Sequence, residues 1–337
     1  MICFHRIMFL CCITLGANQG LSDLVTEFGI FSSSDVTLTT YSVNRGNVYA
    51  GGNLQVDFGY GIQRPTANLG SMYTRGNYSQ GSLSEVRGNV FANGSATLTG
   101  SAKVIGNVVR GGAMTLDPSA SVSGTTTQQS NSVGLISLPA ATTFVPGLNN
   151  VVATDNLALN PGSYRDVSVT QSSRILTLTS GDYFLKSLTL ATSTTLNLQL
   201  TGTPLRVFIQ QDANFGTGLQ FTVNGIGVGT NNANLPVSLA QNVLFESHSD
   251  VSIPAGFLSE FFGTIFTPFG GVDMSLQDMH GSIISAGPIV GNVYLDSRPS
   301  ALVQPVPEPS SILLALLSMV IVVSKRKRYS AMVPVTV

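Results

Sequence analysis

Residues able to do chemistry are few. The 337-residue chain has three histidines, His5, His248 and His280. His248-Ser249-Asp250 sets a base, a hydroxyl and an acid side by side. A nucleophilic triad needs those groups to converge, and neighbours along a strand point to opposite faces. The tripeptide is therefore not expected to be catalytic. Neither His248 nor His280 has an H-x-x-x-H partner, and Cys-based zinc ligation is absent from the body, so no metal site is expected. Asp278-Met279-His280, with Asp273 upstream, could meet a cation or a polysaccharide. It reads first as a polar loop between Met274/Leu276 and Ile283. Glycoside hydrolysis needs two carboxylates across the scissile bond, and no close acidic pair with a basic partner stands out. Gly225-Ile226-Gly227-Val228-Gly229 is glycine-rich. However, Thr230-Asn231-Asn232 follows where a phosphate cradle needs a helix start. No catalytic residue and no cofactor is expected.

The three cysteines, Cys3, Cys11 and Cys12, all fall in the first seventeen residues. Arg6 precedes the apolar run 7–15, the layout of a secretory signal peptide over 1–17. Cleavage is expected near Thr14-Leu15-Gly16 or Leu15-Gly16-Ala17. Phe9 and Leu10 before Cys11 are too bulky for a lipidation site. Removal of this segment leaves a body with no cysteine, held by packing and backbone hydrogen bonds rather than disulfides.

Gly (35 residues), Ser, Thr, Asn and Val dominate and Trp is absent, a composition for short strands and tight turns. From Asn18 to Gln304 there are 11 Lys/Arg against 16 Asp/Glu. From Val207 to Ser297 there are seven acidic residues and no basic one. Nucleic-acid binding needs clustered positive charge and is excluded as an expectation.

A six-residue rhythm organises the body. Arg45-Gly46-Asn47-Val48, Arg75-Gly76-Asn77-Tyr78, Arg87-Gly88-Asn89-Val90 and Ile105-Gly106-Asn107-Val108 share one phase. Gly52, Gly70, Gly94, Gly100, Gly112 and Gly124 keep it. Two and four residues after each phase glycine come small or apolar side chains, as in Val90/Ala92, Ala96/Leu98 and Ala102/Val104, with Arg110 an exception. Alternation by two faces one side of a short strand inward. A glycine every six residues permits a sharp corner. Three sides close a coil of about 18 residues, and stacked coils bury a narrow core. The fold class is all-β, a parallel β-helix (β-solenoid). Later segments keep the length scale: Gly162-Ser163-Tyr164 and Gly181-Asp182-Tyr183, then Gly263-Thr264-Ile265-Phe266 and Gly281-Ser282-Ile283-Ile284. Thr37/Thr39, Thr97/Thr99, Thr125–Thr127 and Thr192/Thr194 suit outward strand positions by β-propensity. A flat array of them could also hold ordered water.

The C-terminal end has three parts in order. Val306-Pro307-Glu308-Pro309 cannot be helical. Ser310 to Ser324 is an apolar run of 15 residues, roughly 22 Å as a helix, short for a ~30 Å hydrocarbon core. Lys325-Arg326-Lys327-Arg328 is a basic stop that stays cytoplasmic. This pattern resembles the PEP-CTERM sorting signal, a tail also labelled an ice-binding-protein C-terminal domain. The resemblance implies export in a Gram-negative-type cell and transit through the inner membrane. It also implies recognition of Pro307-Glu308-Pro309 by an exosortase-type protease-transpeptidase, often in cells making exopolysaccharide. Nine residues, Tyr329–Val337, follow the basic cluster where that family usually stops. The body, Phe28–Ser297, loosely resembles exported choice-of-anchor A-type proteins, which implies an extracellular β-helical module with no catalytic residues to carry over.

The expected organisation is a signal peptide (1–17), a hexad-repeat solenoid (18–131), a crossover segment (132–160) and a second solenoid part (161–297). A Pro-rich linker (298–309), a transmembrane helix (310–324) and a basic tail (325–337) follow. The expected function is a non-enzymatic cell-surface or extracellular-matrix protein, structural or adhesive, linked to exopolysaccharide or biofilm. The alternative is a carbohydrate-active β-helix enzyme, and a third reading is binding to ice or another hydrated surface.

Overall fold

The structure, a computed structural model, describes residues 28–39, 43–44, 46–57, 67–68, 70–228, 237–254, 256 and 259–296. The expected signal peptide, linker, transmembrane helix and basic tail lie outside these residues. The chain divides into two units, Met1–Leu302 and Val303–Val337, and all described residues belong to the first.

The body is all-β, a parallel β-solenoid of about twelve turns. One coil shows the construction. Met72–Thr74, Tyr78–Gln80 and Glu85–Val86 form its three sides. Val90–Ala92, Ala96–Leu98 and Lys103–Val104 form the next. The coils pair in parallel and in register, Met72 with Val90, Tyr78 with Ala96 and Glu85 with Lys103. Alternate side chains turn inward, so Val90, Ala92, Ala96, Leu98 and Val104 are fully buried. Each buried Val or Leu contributes about 1.5–3 kcal/mol relative to exposure.

Apart from Gly100, which sits at the third corner against Ser82, the described phase glycines sit at two corners, where most stack on one another. A Cβ at Gly76 would lie 2.7 Å from the Gly52 carbonyl oxygen, closer than real carbon atoms approach. Gly94 stands in the same relation to Gly76, and Gly124 to Gly106. The need for glycine at these stacked corners is close backbone approach rather than a left-handed φ; of the phase glycines Gly100 alone has one, at +55°. Where an asparagine follows the glycine, it has its own task. Asn53 Oδ1 accepts from Asn77 N and Asn77 Oδ1 from Ser95 N, both at 2.9 Å. At the other corner Asn89 Oδ1 accepts from Asn107 N and Asn107 Oδ1 from Thr125 N, again at 2.9 Å. These ladders satisfy corner amides that no strand pairing reaches.

The 18-residue coil holds in this first half, where Met72, Val90, Val108 and Thr126 fall in one register column. The later coils are longer: Val167 pairs with Leu188, Leu188 with Ala213 and Ala213 with Val251. The largest excursion contains the antiparallel pair Gln220–Val223 with Ile226–Gly227 and the 3₁₀ turn Val237–Asn242. Asn224 and Gly225 have φ of +51° and +81°, a two-residue hairpin turn. That is the structural use of the glycine-rich stretch. Among the described residues no helix is long and apolar enough to cross a membrane.

Spatial order departs from chain order. Coils from Val151–Ala153 to Ile289–Asp296 stack in sequence. The next coil in space begins at Phe28, because Ile283, Ile284 and Ser285 pair with Ile30, Phe31 and Ser32. On the second side Ile289 and Val290 pair with Val36 and Thr37. The stack then continues to Thr126–Gln128. Residues 129–150, which hold no strand, lead from that end to the opposite one. The described residues therefore begin and end at a seam inside the stack.

Candidate functional site

The three outer faces differ. On the first, outward positions carry aromatic residues. Phe31 stacks on Tyr49 with centroids 4.7 Å apart, Tyr73 on Phe91 at 5.0 Å and Phe184 on Phe208 at 5.3 Å. Such a face would be costly in water. Residues 132–144 cover it as a strap, with Val133, Ile136, Leu138 and Phe144 in a second apolar cluster with these rings. Tyr49 OH donates to Gly134 O (3.0 Å) and accepts from Ile136 N (3.3 Å). Burial pushes the Tyr49 hydroxyl above its ordinary pKa, opposed by the Ile136 N–H and the Arg75 charge. Asn93 makes two 2.8 Å bonds to the Val133 backbone.

The strap's far end holds the densest polar arrangement on this face. Glu246, on Val243–Ser247, is 1% exposed. Its carboxylate accepts from Thr142 N (2.6 Å) and Thr142 Oγ1 (2.7 Å), and meets His248 Nε2 at 2.9 Å. The His248 ring lies edge-on between Phe144 and Phe269, at 5.1 and 5.2 Å. A buried carboxylate needs such partners. The arrangement binds the strap. His248, Ser249 and Asp250 do not converge: Asp250 Oδ1 instead accepts from Gly271 N at 2.6 Å.

The third face carries the other acidic grouping. Asp273 and Asp278 both lie in the strand Val272–Ser285, not in a loop, but only Asp278 reaches this face. Asp273 pairs with Ser252 and Val290, in the second-side column that leads to Thr37, and the register shifts between Leu276 and Met279 before the strand continues. Glu260 pairs in register with Asp278, and Phe262 with His280. Two carboxyl-bearing residues thus occupy adjacent strands, a pair the sequence reading did not find. The signal was available: Gly263 and Gly281 show the coil length, and the same 18-residue step links Glu260 to Asp278. Burial raises the Glu260 carboxyl, opposed by a 3.4 Å hydrogen bond from Phe221 N. Asp278 and His280 are buried, and His280 Nε2 lies 3.2 Å from Val228 O. Among the described residues no three His, Asp or Glu are grouped as metal ligands.

The second face carries no strap among the described residues. Its outward column includes Thr37, Gln55, Ser79, Thr97 and Thr115. Thr37 and Thr97, two of the strand threonines noted in the sequence, share this column.

No family model matches the chain, and no curated protein matches it. Two solved structures are similar at 14% identity. One is an ice-binding protein from an Antarctic bacterium, Flavobacteriaceae, with TM-score 0.24, covering 82% of this chain and 96% of that one. The other is the Tapirin C-terminal domain of Caldicellulosiruptor hydrothermalis, with TM-score 0.25, covering 81% of this chain and 54% of that one.

Proposed function

We propose that this chain is an exported, non-enzymatic protein of the cell surface or extracellular matrix, with a structural or adhesive role. The observation that carries this is the use of Glu246. The most buried acid near a histidine is spent on holding residues 132–144 against the solenoid, while the outward column of Thr37, Gln55, Ser79, Thr97 and Thr115 stays polar. Delivery would follow the C-terminal pattern: the signal peptide at 1–17, the apolar run from Ser310 to Ser324, and recognition of Val306-Pro307-Glu308-Pro309 by an exosortase-type enzyme before the basic stop Lys325–Arg328. Exopolysaccharide is the partner this route suggests. The test expresses Glu308→Ala beside the parent and measures mature mass and location. The parent is expected to lose its tail and the variant to keep it. Identical masses would remove the sorting reading.

A second reading, a carbohydrate-active solenoid, is favoured by the in-register Glu260 and Asp278 with the Glu260 carboxyl raised by burial. A raised carboxyl beside a second one is the arrangement glycosidases use for acid and base. Screening the body against neutral and acidic polysaccharides decides between them. Product release abolished by Glu260→Gln would establish the enzyme reading.

A further inference from the structure

The seam joins two segments of one chain that could equally come from two chains. Residues 28–128 and 151–296 each form contiguous coils, and their strands meet through Ile283–Ser285 on Ile30–Ser32 and Ile289–Gly291 on Val36–Leu38. Ser32 Oγ donates to Gly287 O (2.7 Å) and Ser33 Oγ to Ala286 O (2.7 Å) across it. Coil direction does not reverse at the seam. In space the stack runs from residue 151 to 296, then from 28 to 128, so all coils advance the same way.

To close this order within one molecule, residues 129–150 must return over the whole stack. About twelve turns at ~4.8 Å make roughly 55 Å, and these 22 residues extend to roughly 75 Å at most. The link must stay extended over most of its length. An alternative keeps every seam pair without that return, at the cost of the strap's bonds to Tyr49, Asn93 and Glu246. If 151–296 of one copy docks on 28–128 of the next, residues 129–150 step directly from the end of one stack to the start of its neighbour. The joint is heterologous and does not close on itself, so it propagates.

We infer that the seam is an exchangeable joint whose second occupant is another copy of this chain, giving head-to-tail filaments by open-ended segment exchange. The continuity is with an interface the chain already uses, and the exchange gives up the cover that residues 132–144 provide for the aromatic face in the closed monomer. The closed monomer and the filament share the seam and differ in the path of residues 129–150. The inference is independent of how the chain is sorted.

The test uses disulfides across the seam. Ser32 and Ser285 are register partners, both fully buried, and both hydroxyls donate to Gly287 O, at 2.7 and 3.0 Å. Their Cα spacing of about 4.8 Å lies within the disulfide range. The full chain carries Ser32→Cys with Ser285→Cys, and serine at Cys3, Cys11 and Cys12. It is unfolded in urea, refolded over a hundredfold concentration range and oxidised. The expected result is a ladder of cross-linked oligomers that lengthens with concentration. In parallel, differently tagged single variants refolded together are expected to cross-link at least tenfold more than when folded apart and then mixed. Internally locked monomer at every concentration, with no mixed dimer, would overturn the inference. So would absence of any cross-link in the double variant, because the seam itself would then be wrong.

Discussion

Replacing Gly76 by alanine tests why the corners repeat. The new Cβ would lie 2.6 Å from Asn53 Oδ1 and 2.7 Å from the Gly52 carbonyl oxygen. Ordinary contact needs about 0.7 Å more. The carbonyl is backbone and accepts from Gly76 N at 2.8 Å, while Asn53 Oδ1 accepts from Asn77 N at 2.9 Å. Opening the corner therefore strains two coils and stretches two hydrogen bonds. Overpacking costs about 1–3 kcal/mol and a weakened bond about 0.5–1.5 kcal/mol. Reduced freedom of the unfolded chain offsets about 0.4–1 kcal/mol. The net expectation is a destabilisation of roughly 2–4 kcal/mol, read as a lower urea midpoint at constant slope. Gly134→Ala is the control, since nothing lies within 4 Å of its added Cβ. It should be neutral or gain a few tenths of a kcal/mol. Equal midpoints for the two variants would refute the close-approach argument.

Other outcomes follow from the same geometry. Glu246→Ala removes the acceptor of both Thr142 bonds and should lower stability by about 2–4 kcal/mol, with faster hydrogen exchange at the Thr142 amide; unchanged exchange there would show that the strap does not depend on it. Leu54→Ala, at a fully buried position, should cost about 2–5 kcal/mol. Thr97→Ala on the bare face should stay within about 0.5 kcal/mol, and a reversal of that order in urea titrations would mean the faces are misassigned. Glu260 gives a pH signature. Its folded carboxyl titrates above the ordinary value because of burial, so the folded chain holds the proton more tightly than the unfolded one. That contribution is present below the unfolded value and is lost as pH rises through the folded one. Glu260→Gln should flatten the decline of stability just above the ordinary carboxylate range, and an unchanged profile would show that Glu260 does not cause it.

The solenoid was legible because its constraint is local and repeated. The stacked corners of the first half pair Gly for approach with an Asn, or at Ser71 and Ser95 a serine, that accepts from the amide above, so Gly46-Asn47, Gly76-Asn77 and Gly88-Asn89 print the period in the sequence. The strapped face left a fainter trace. Tyr49, Tyr73 and Phe91 each follow an inward residue by one, which marks an outward column that something must cover. Its partner residues in 132–144 have no repeat to announce them. Glu246 is bonded to Thr142 across 104 residues, and such a pairing has no local pattern. The seam was hidden for a related reason. Parallel coil edges resemble one another, and Ser32 meets Gly287 across 255 residues. Nothing near Phe28 says that the strand beside it is Val272–Ser285.

The placement of Ile289–Asp296 has a mechanical consequence. In a solenoid wound in chain order, the last strand is an outer edge, and tension on it peels one coil at a time. Here that strand is paired with Val272–Ser285 on one side and with Val36–Leu38 and Val43–Asn44 on the other. A pull applied beyond residue 296 enters between two ladders and must shear both together. The load is shared from the start by two ladders, and the coils farther along the stack carry none of it.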